Sequence, residues 1–81
     1  MTPPLKFADL RTGMSVRLTS VGVSDHHDHR LMEMGLTPGV EFKVVKVAPL
    51  GDPIEIDLRG YKLCLRRREA RAFELERIDL V

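Results

Sequence analysis

The sequence predicts a mainly β fold, a small closed antiparallel barrel with one short helix inserted between strands. Glycine and proline recur at short intervals along the 81 residues, a spacing typical of short strands joined by turns. Apolar and polar residues alternate in several segments, as on strands with one buried face. Closing the sheet would remove its exposed edges. We therefore expect a single domain, residues 1–81, with one small core.

Composition excludes several classes of protein. Hydrophobic residues make up 43% and charged residues 31% of the chain, the balance of an ordinary globular protein. A net charge of +1 is too small for general attraction to nucleic acid or anionic lipid, so any basic surface must be local. The lone cysteine, Cys64, excludes an intrachain disulfide. With neither a signal peptide nor a membrane-spanning run, we expect a cytoplasmic protein with no direct membrane insertion.

The first strand is predicted at residues 14–19, where apolar and polar side chains alternate. A short helix follows, which Ser24 or Asp25 can cap. Its apolar residues Leu31 and Met34 are three apart, which places them on one helical face.

The helix is predicted to stop at once and turn into a second strand. Gly35 stands where a left-handed cap is needed, with Leu36 able to fold back onto the last helical turn. Residues 37–40 carry proline and glycine at the positions that favour a type II turn. The strand at 40–47 changes its buried face between residues 44 and 45, which a β-bulge or strong barrel curvature would explain. We expect it to be the most buried strand.

A stiff loop, residues 48–53, leads into a predicted hairpin centred on Arg59 and Gly60. A slightly longer loop with only Gly60 left-handed is the alternative, because arginine disfavours a positive φ. The two-residue turn pairs Leu58 with Tyr61, Ile56 with Leu63, Ile54 with Leu65, Asp57 with Lys62, and Glu55 with Cys64.

The remaining residues predict one helical turn and a last strand. Residues 66–71 can form a single helical turn. After it, Phe73 and Leu75 alternate with Glu74 and Glu76.

A histidine-rich stretch, residues 25–29, is the candidate metal site. On a helix, His26 and His29 would share a face and could offer two ligands to a divalent ion, with Asp25 as a further candidate. A metal site needs three or four ligands, and nothing else in the sequence must approach this face. We therefore expect no metal, with His26 and His29 as weak candidates.

Neither an enzyme nor a nucleic-acid-binding protein is predicted. The chain has no nucleophile motif and no phosphate-binding glycine loop, and Asp52 is expected to make a local side-chain turn rather than act as an acid or base. The basic stretch 59–71 lacks interleaved stacking aromatics, because the hairpin register turns Tyr61 inward.

A protein-binding surface is the remaining reading of the exposed apolar residues. Met32 lies outside the face shared by Leu31 and Met34, and Leu50 tips a loop held by two prolines. Apolar groups on preorganised turns dock at low entropic cost. Taken singly, Leu31, Met34 and Leu36 are each better explained by core packing. The predicted partner-binding residues are Met32, Leu36, Pro38, Pro49, Leu50, Gly51, Asp52 and Pro53.

The chain resembles the FeoA proteins, partners of the bacterial ferrous iron transporter FeoB. RLMEMGLTPG at 30–39 and APLGDPIEI at 48–56 are similar to two motifs of that family in order and spacing, as are LRTGMSVRL at 10–18 and LRRREA at 65–70. The resemblance implies an SH3-like β-barrel with a helical insertion, no established catalytic activity and no cofactor. It also implies an accessory role in iron uptake, through contact with the cytoplasmic part of the transporter.

Three functional hypotheses follow from the residues and the resemblance together. In the first, the loop with Leu50 and the segment from Met32 to Pro38 form one surface that docks on the transporter, which places the protein peripheral to the inner membrane. In the second, Arg30 or Arg67 stimulates the transporter's GTPase domain. In the third, His26 and His29 serve a metal sensor. A homo-oligomer is compatible with each of them.

Overall fold

The computed structural model describes residues 4–22 and 31–79. Five strands form one antiparallel sheet in the order β4-β3-β2-β1-β5. The strands are β1 (Ser15–Ser20), β2 (Glu41–Val47), β3 (Ile54–Leu58), β4 (Tyr61–Leu65) and β5 (Glu74–Arg77). A 3₁₀ turn at Phe7–Asp9 precedes β1, and a one-turn helix at Arg67–Ala70 separates β4 from β5. The mainly β antiparallel fold is confirmed.

The predicted closure of the sheet is not observed among the described residues, because β4 and β5 lie at the two ends of the strand ladder and are not paired with each other. The outer edge of β5 is partly covered by Leu5. Its N–H donates to the Leu75 carbonyl at 2.8 Å, and the Leu75 N–H donates back at 3.0 Å. In the described ranges, no strand covers the outer edge of β4.

The core lies along the inward faces of β1, β2 and β3. In β1 the buried residues are every second one, Val16 and Leu18, as the alternation predicts. β3 is the most buried strand, since Ile54, Ile56 and Leu58 are all buried, so the expectation that β2 would be is wrong. Both strands lie between two neighbours in the sheet, so the difference is one of register: a bulge disturbs the second half of β2, whereas burial alternates without interruption along β3.

The predicted bulge in β2 is present at Val45. Val44 faces Ile56 and Lys46 faces Glu55, so one extra residue is accommodated on the β2 side. The shift turns Val47 back to the core, opposite Ile54.

The segment from Leu31 to Gly39 ends a helix as the sequence predicts. Residues 31–33 are helical, and Gly35 has φ +104°. The Gly35 N–H donates to the Met32 carbonyl at 3.0 Å and the Leu36 N–H to the Leu31 carbonyl at 3.0 Å, which is the Schellman pattern. Its hydrophobic contact is supplied by Leu31 and Leu36, both buried. The predicted helix start, 24–30, lies outside the described residues.

A type II turn at 37–40 follows without a break. The Val40 N–H donates to the Thr37 carbonyl at 3.1 Å, and Gly39 has φ +99°. The Gly39 N–H donates to the Leu18 carbonyl at 2.6 Å, which ties the turn to β1.

The β3–β4 hairpin has the predicted register at all five pairs. Both turn residues are left-handed, with φ +54° at Arg59 and +92° at Gly60, so the two-residue turn forms in spite of the arginine. Tyr61 is 72% exposed, and the prediction that it faces inward is wrong. It sits at the tip of the end strand β4, where the hairpin extends past the core, and only its partner Leu58 reaches the interior.

Among the helices of the described residues, none combines the length and the apolar content that crossing a bilayer requires.

Candidate partner-binding site

The loop that connects β2 to β3, residues 48–53, exposes a leucine to solvent, and backbone hydrogen bonds within the loop hold its conformation. The Gly51 N–H donates to the Ala48 carbonyl at 2.7 Å, and the Ala48 N–H donates to the Pro53 carbonyl at 3.2 Å. Gly51 holds φ +85°, a conformation that favours glycine. Leu50 at the tip is 88% exposed. The backbone is thus held by its own hydrogen bonds while the Leu50 side chain makes little contact with the rest of the domain.

Asp52 connects this loop to the short helix Arg67–Ala70. Its Oδ1 accepts a hydrogen bond from the Arg67 N–H at 2.8 Å. Arg67 is the first helical residue, whose N–H has no partner inside the helix, so the carboxylate caps it from outside. The expected local side-chain turn is therefore wrong, because Asp52 bonds to a residue fifteen positions away.

Four arginines stand beside the loop as a result. With Asp52 they surround a shallow concavity of about 290 Å³, lined by Asp52, Arg66, Arg67, Arg68 and Arg71. All four arginines are exposed. Within the described part of the chain, none of their guanidinium groups forms an ion pair. Any basic surface was expected to be local, and these four arginines form one.

A second concavity of about 370 Å³ lies on the other side of the loop, between it and the 3₁₀ turn. Arg11 is held at its rim, because its Nη1 donates to the carbonyls of Ala8 and Leu10 at 3.1 and 2.9 Å. Arg67 lines both concavities. We call this second concavity the groove. It is lined by Phe7, Ala8, Leu10, Arg11, Val47, Ala48, Pro49, Leu50, Gly51, Ile54 and Arg67.

The predicted contact residues of the 31–39 segment divide by burial. Met32 is 39% exposed and Pro38 is exposed, as partner contact requires. Leu36 has no exposed surface, so its assignment to the contact surface is wrong. The Schellman pattern turns its side chain back against the core. Leu31 is buried as well, whereas Met34, expected on the same face, is 40% exposed.

The sequence suggests that the Leu50 loop and the Met32–Pro38 segment form one surface. In the structure they lie on two separate surfaces. Pro38 precedes β2 and the Leu50 loop follows it, so the seven residues of β2 separate them by about 20 Å. A Cβ on Gly35 would lie 3.3 Å from Leu58 Cδ2, which places the 31–39 segment at the same end as the hairpin turn. We call this the hairpin end (Met32, Pro38, Tyr61). The opposite loop end comprises residues 48–53, the groove and the arginines of residues 66–71.

The candidate metal ligands His26 and His29, and Arg30 of the GTPase hypothesis, lie outside the described residues. Within residues 4–22 and 31–79, no three His, Cys, Asp or Glu side chains are grouped to hold a metal.

Two carboxyl groups have pKa values below their usual range. The Gly60 N–H and the Lys62 ammonium, at 2.9 and 3.3 Å, lower the pKa of Asp57. The Arg77 guanidinium at 2.7 Å does the same to the pKa of Asp79. Neither carboxyl lines either of the two concavities described above, so these hydrogen bonds serve the fold rather than acid–base chemistry there.

The arginines 66, 68 and 71 were not among the predicted site residues. The sequence signals were the basic run itself and the predicted pairing of Ile54 with Leu65, which brings the residues after Leu65 beside the loop that precedes Ile54. The Asp52–Arg67 hydrogen bond is a further contact between the two segments.

Comparison with known proteins matches the FeoA domain to residues 5–77. A curated relative from Porphyromonas gingivalis is described as a fusion of Fe(2+) transport protein A and the Fe(2+) transporter FeoB. It is 32% identical over 75 residues, which cover 93% of this chain and 9% of that protein. The chain thus spans under a tenth of the length of this relative.

Two solved structures are similar over most of their own length. The FeoA protein of Chlorobium tepidum has 38% identity and a TM-score of 0.80, with 91% of this chain and 70% of that one covered. The FeoA-like protein of Clostridium acetobutylicum has 30% identity and a TM-score of 0.85, with coverages of 100% and 94%. The fold is therefore the SH3-like fold of FeoA proteins.

Proposed function

Because this chain belongs to the FeoA family of ferrous iron transport accessories, we propose that it binds the cytoplasmic part of a FeoB-type transporter and regulates or stabilises it. In this role the protein is cytoplasmic and peripheral to the inner membrane through its partner. It acts by binding and catalyses no reaction of its own.

The fusion relative supports the choice of partner. Its description joins the two components in one protein. Covalent linkage holds two domains at a high effective concentration, which favours even a weak contact between them. Without covalent linkage, the domain must supply the contact by its own surface.

Leu50 is the observation that carries the choice of surface. It is 88% exposed on a loop whose backbone is already fixed by two hydrogen bonds and by the Asp52 cap. A fixed loop loses little conformational freedom on docking, so most of the free energy of burying a leucine remains available to binding.

The test is capture of the full-length transporter from detergent-solubilised host membranes on the immobilised protein. Leu50→Asp should abolish retention, because a carboxylate would have to be buried at the contact. Met32→Asp makes the same kind of change at the hairpin end and should leave retention unchanged. Circular dichroism of both variants checks that the fold is intact. Retention by folded Leu50→Asp would refute this surface.

Arg67 supports a second candidate, stimulation of the transporter's GTPase. Its guanidinium is exposed at the junction of the two concavities. An arginine that completes a GTPase site raises the hydrolysis rate about 10³-fold or more. Saturating protein should produce such a rise, which Arg67→Ala removes. An unchanged turnover number would exclude this candidate and leave the binding role standing.

A further inference from the structure

We propose that the loop end recognises an acidic segment of a protein partner, with one apolar side chain seated in the groove beside Leu50 and carboxylates against Arg66, Arg67, Arg68 and Arg71. This inference rests on the proposed binding of a transporter through Leu50. It adds the chemistry of the opposing surface, which the family assignment leaves open.

Among the described residues the loop-end arginines form no ion pair, in contrast to Arg17 and Lys62 elsewhere on the sheet. Arg17 pairs with Glu41 at 3.0 Å and with Glu76 at 3.4 Å, and Lys62 pairs with Asp57 at 3.3 Å. At the loop end four arginines line a concavity whose one carboxylate, Asp52, accepts a backbone N–H. A nearly neutral chain therefore concentrates positive charge at one place.

Arginine suits carboxylates in particular. Its planar guanidinium can donate two parallel hydrogen bonds to a carboxylate, and it is less strongly hydrated than an ammonium group. Gathering four such groups on one short stretch costs mutual repulsion, which an anionic partner removes.

The shape of the groove distinguishes a protein segment from a lipid surface. Phe7, Val47 and Pro49 line a recess of about 370 Å³ immediately beside the projecting Leu50. A protein partner could insert a side chain into this recess while it also packs against Leu50. A flat bilayer could accept Leu50 but would leave the recess unfilled. Arg11 and Arg67, which also line the groove, place positive charge next to that apolar surface.

The test compares charge reversals at the two ends of the molecule. Arg68→Glu is chosen at the loop end, because Arg68, unlike Arg67, makes no hydrogen bond to the loop. Arg59→Glu is the matched control, an exposed arginine in the hairpin turn at the opposite end. The Kd for the full-length transporter in detergent is measured by surface plasmon resonance, with the protein immobilised and the transporter titrated, at low and at high salt concentration. The double variant Arg68→Glu/Arg71→Glu extends the series.

We expect Arg68→Glu to raise the Kd about tenfold or more, and Arg59→Glu to change it by less than about twofold. The wild-type affinity should fall about tenfold between roughly 50 and 500 mM NaCl, because salt screens the contacts between charges. The double variant should lose most of this salt dependence.

Three outcomes would overturn the inference. If the affinity depends on Leu50 but neither on salt nor on Arg68→Glu, recognition of an acidic segment is refuted and the proposed binding of the transporter through Leu50 still holds. If the wild type does not bind the transporter at any salt concentration, both the inference and the proposed function are refuted. Sedimentation of the wild type with protein-free vesicles of phosphatidylglycerol and phosphatidylcholine, lost in Arg68→Glu, would assign the arginines to a lipid surface instead.

Discussion

Gly35 and Gly39 both hold positive φ within five residues, but their surroundings differ. A Cβ on Gly35 would come within 3.3 Å of Leu58 Cδ2, whereas one on Gly39 would meet nothing within 4 Å. The first position thus combines a backbone requirement with a steric one, and the second has the backbone requirement alone.

Alanine substitutions separate these two contributions. Gly39→Ala should lower the free energy of unfolding by about 1–2 kcal/mol through backbone strain. Gly35→Ala should cost more, because Leu58 must also move. Urea unfolding followed by circular dichroism measures both. A smaller loss for Gly35→Ala than for Gly39→Ala would contradict this account of the helix end.

Leu36 and Leu50 are leucines with opposite environments. Leu36→Ala should destabilise the domain by about 2–5 kcal/mol, because Leu36 is fully buried and its loss leaves a cavity. Leu50→Ala should change stability by less than about 0.5 kcal/mol. Thermal and urea unfolding of the two variants test the correction that assigns Leu36 to the core, and equal effects would reject it.

Asp57 gives the hairpin a pH dependence. Its pKa is lowered by the Gly60 N–H and by Lys62, so the folded state prefers the ionised form. This stabilisation is fully present above the unfolded pKa, near 3.8, and is lost as the pH falls through the lowered folded pKa. At pH 7 the wild type should therefore have a higher urea midpoint than Asp57→Asn. The difference in midpoint should shrink as the pH falls below the unfolded pKa, near 3.8. A difference that stays constant with pH would contradict it.

At the scale of elements, the β2–β3 loop and the helix Arg67–Ala70 act as one unit because Asp52 joins them. Two different parts of the chain thereby present Leu50 and the arginines on the same side of the domain. The pairing of Ile54 with Leu65 brings the basic cluster beside the loop, and this hydrogen bond links the two directly.

Removing the cap should loosen both elements. Asp52→Ala should cost about 0.5–2 kcal/mol of stability, and Asp52→Asn, which retains an acceptor oxygen, should cost less. Hydrogen exchange of the Arg67 amide should accelerate in Asp52→Ala and much less in Asp52→Asn. Unchanged exchange in both variants would show that the hydrogen bond does not hold the helix.

The elements that the sequence predicts correctly are those specified by neighbours in the chain. The Gly35 cap, the turn at 37–40, the bulge at Val45 and the hairpin at Arg59 each follow from local backbone chemistry. Side-chain exposure was less predictable. Tyr61 has the inward register but lies at the exposed tip of an end strand. Leu36 was expected both to fold back onto the helix and to contact a partner, and its burial agrees with the first expectation alone.

At the scale of the whole molecule, the exposed apolar residues divide between two opposite ends. Sequence proximity could not show this, because Pro38 and Leu50 are close in the chain and separated by the full length of β2. The single surface predicted from the sequence is therefore two separate surfaces, and the arginine cluster and the groove are both at the loop end.

The loop end as the transporter-binding surface is the central claim, and methyl NMR tests it most directly. The protein is prepared with labelled leucine and methionine methyl groups in a deuterated background, and full-length transporter in detergent is added. The Leu50 methyl signals should broaden or receive cross-saturation from the transporter. The Met32 methyl at the hairpin end and the buried Leu36 methyls should be unaffected beyond the general slowing of tumbling. Selective effects on Met32 with Leu50 unchanged would contradict the account and move the contact to the hairpin end.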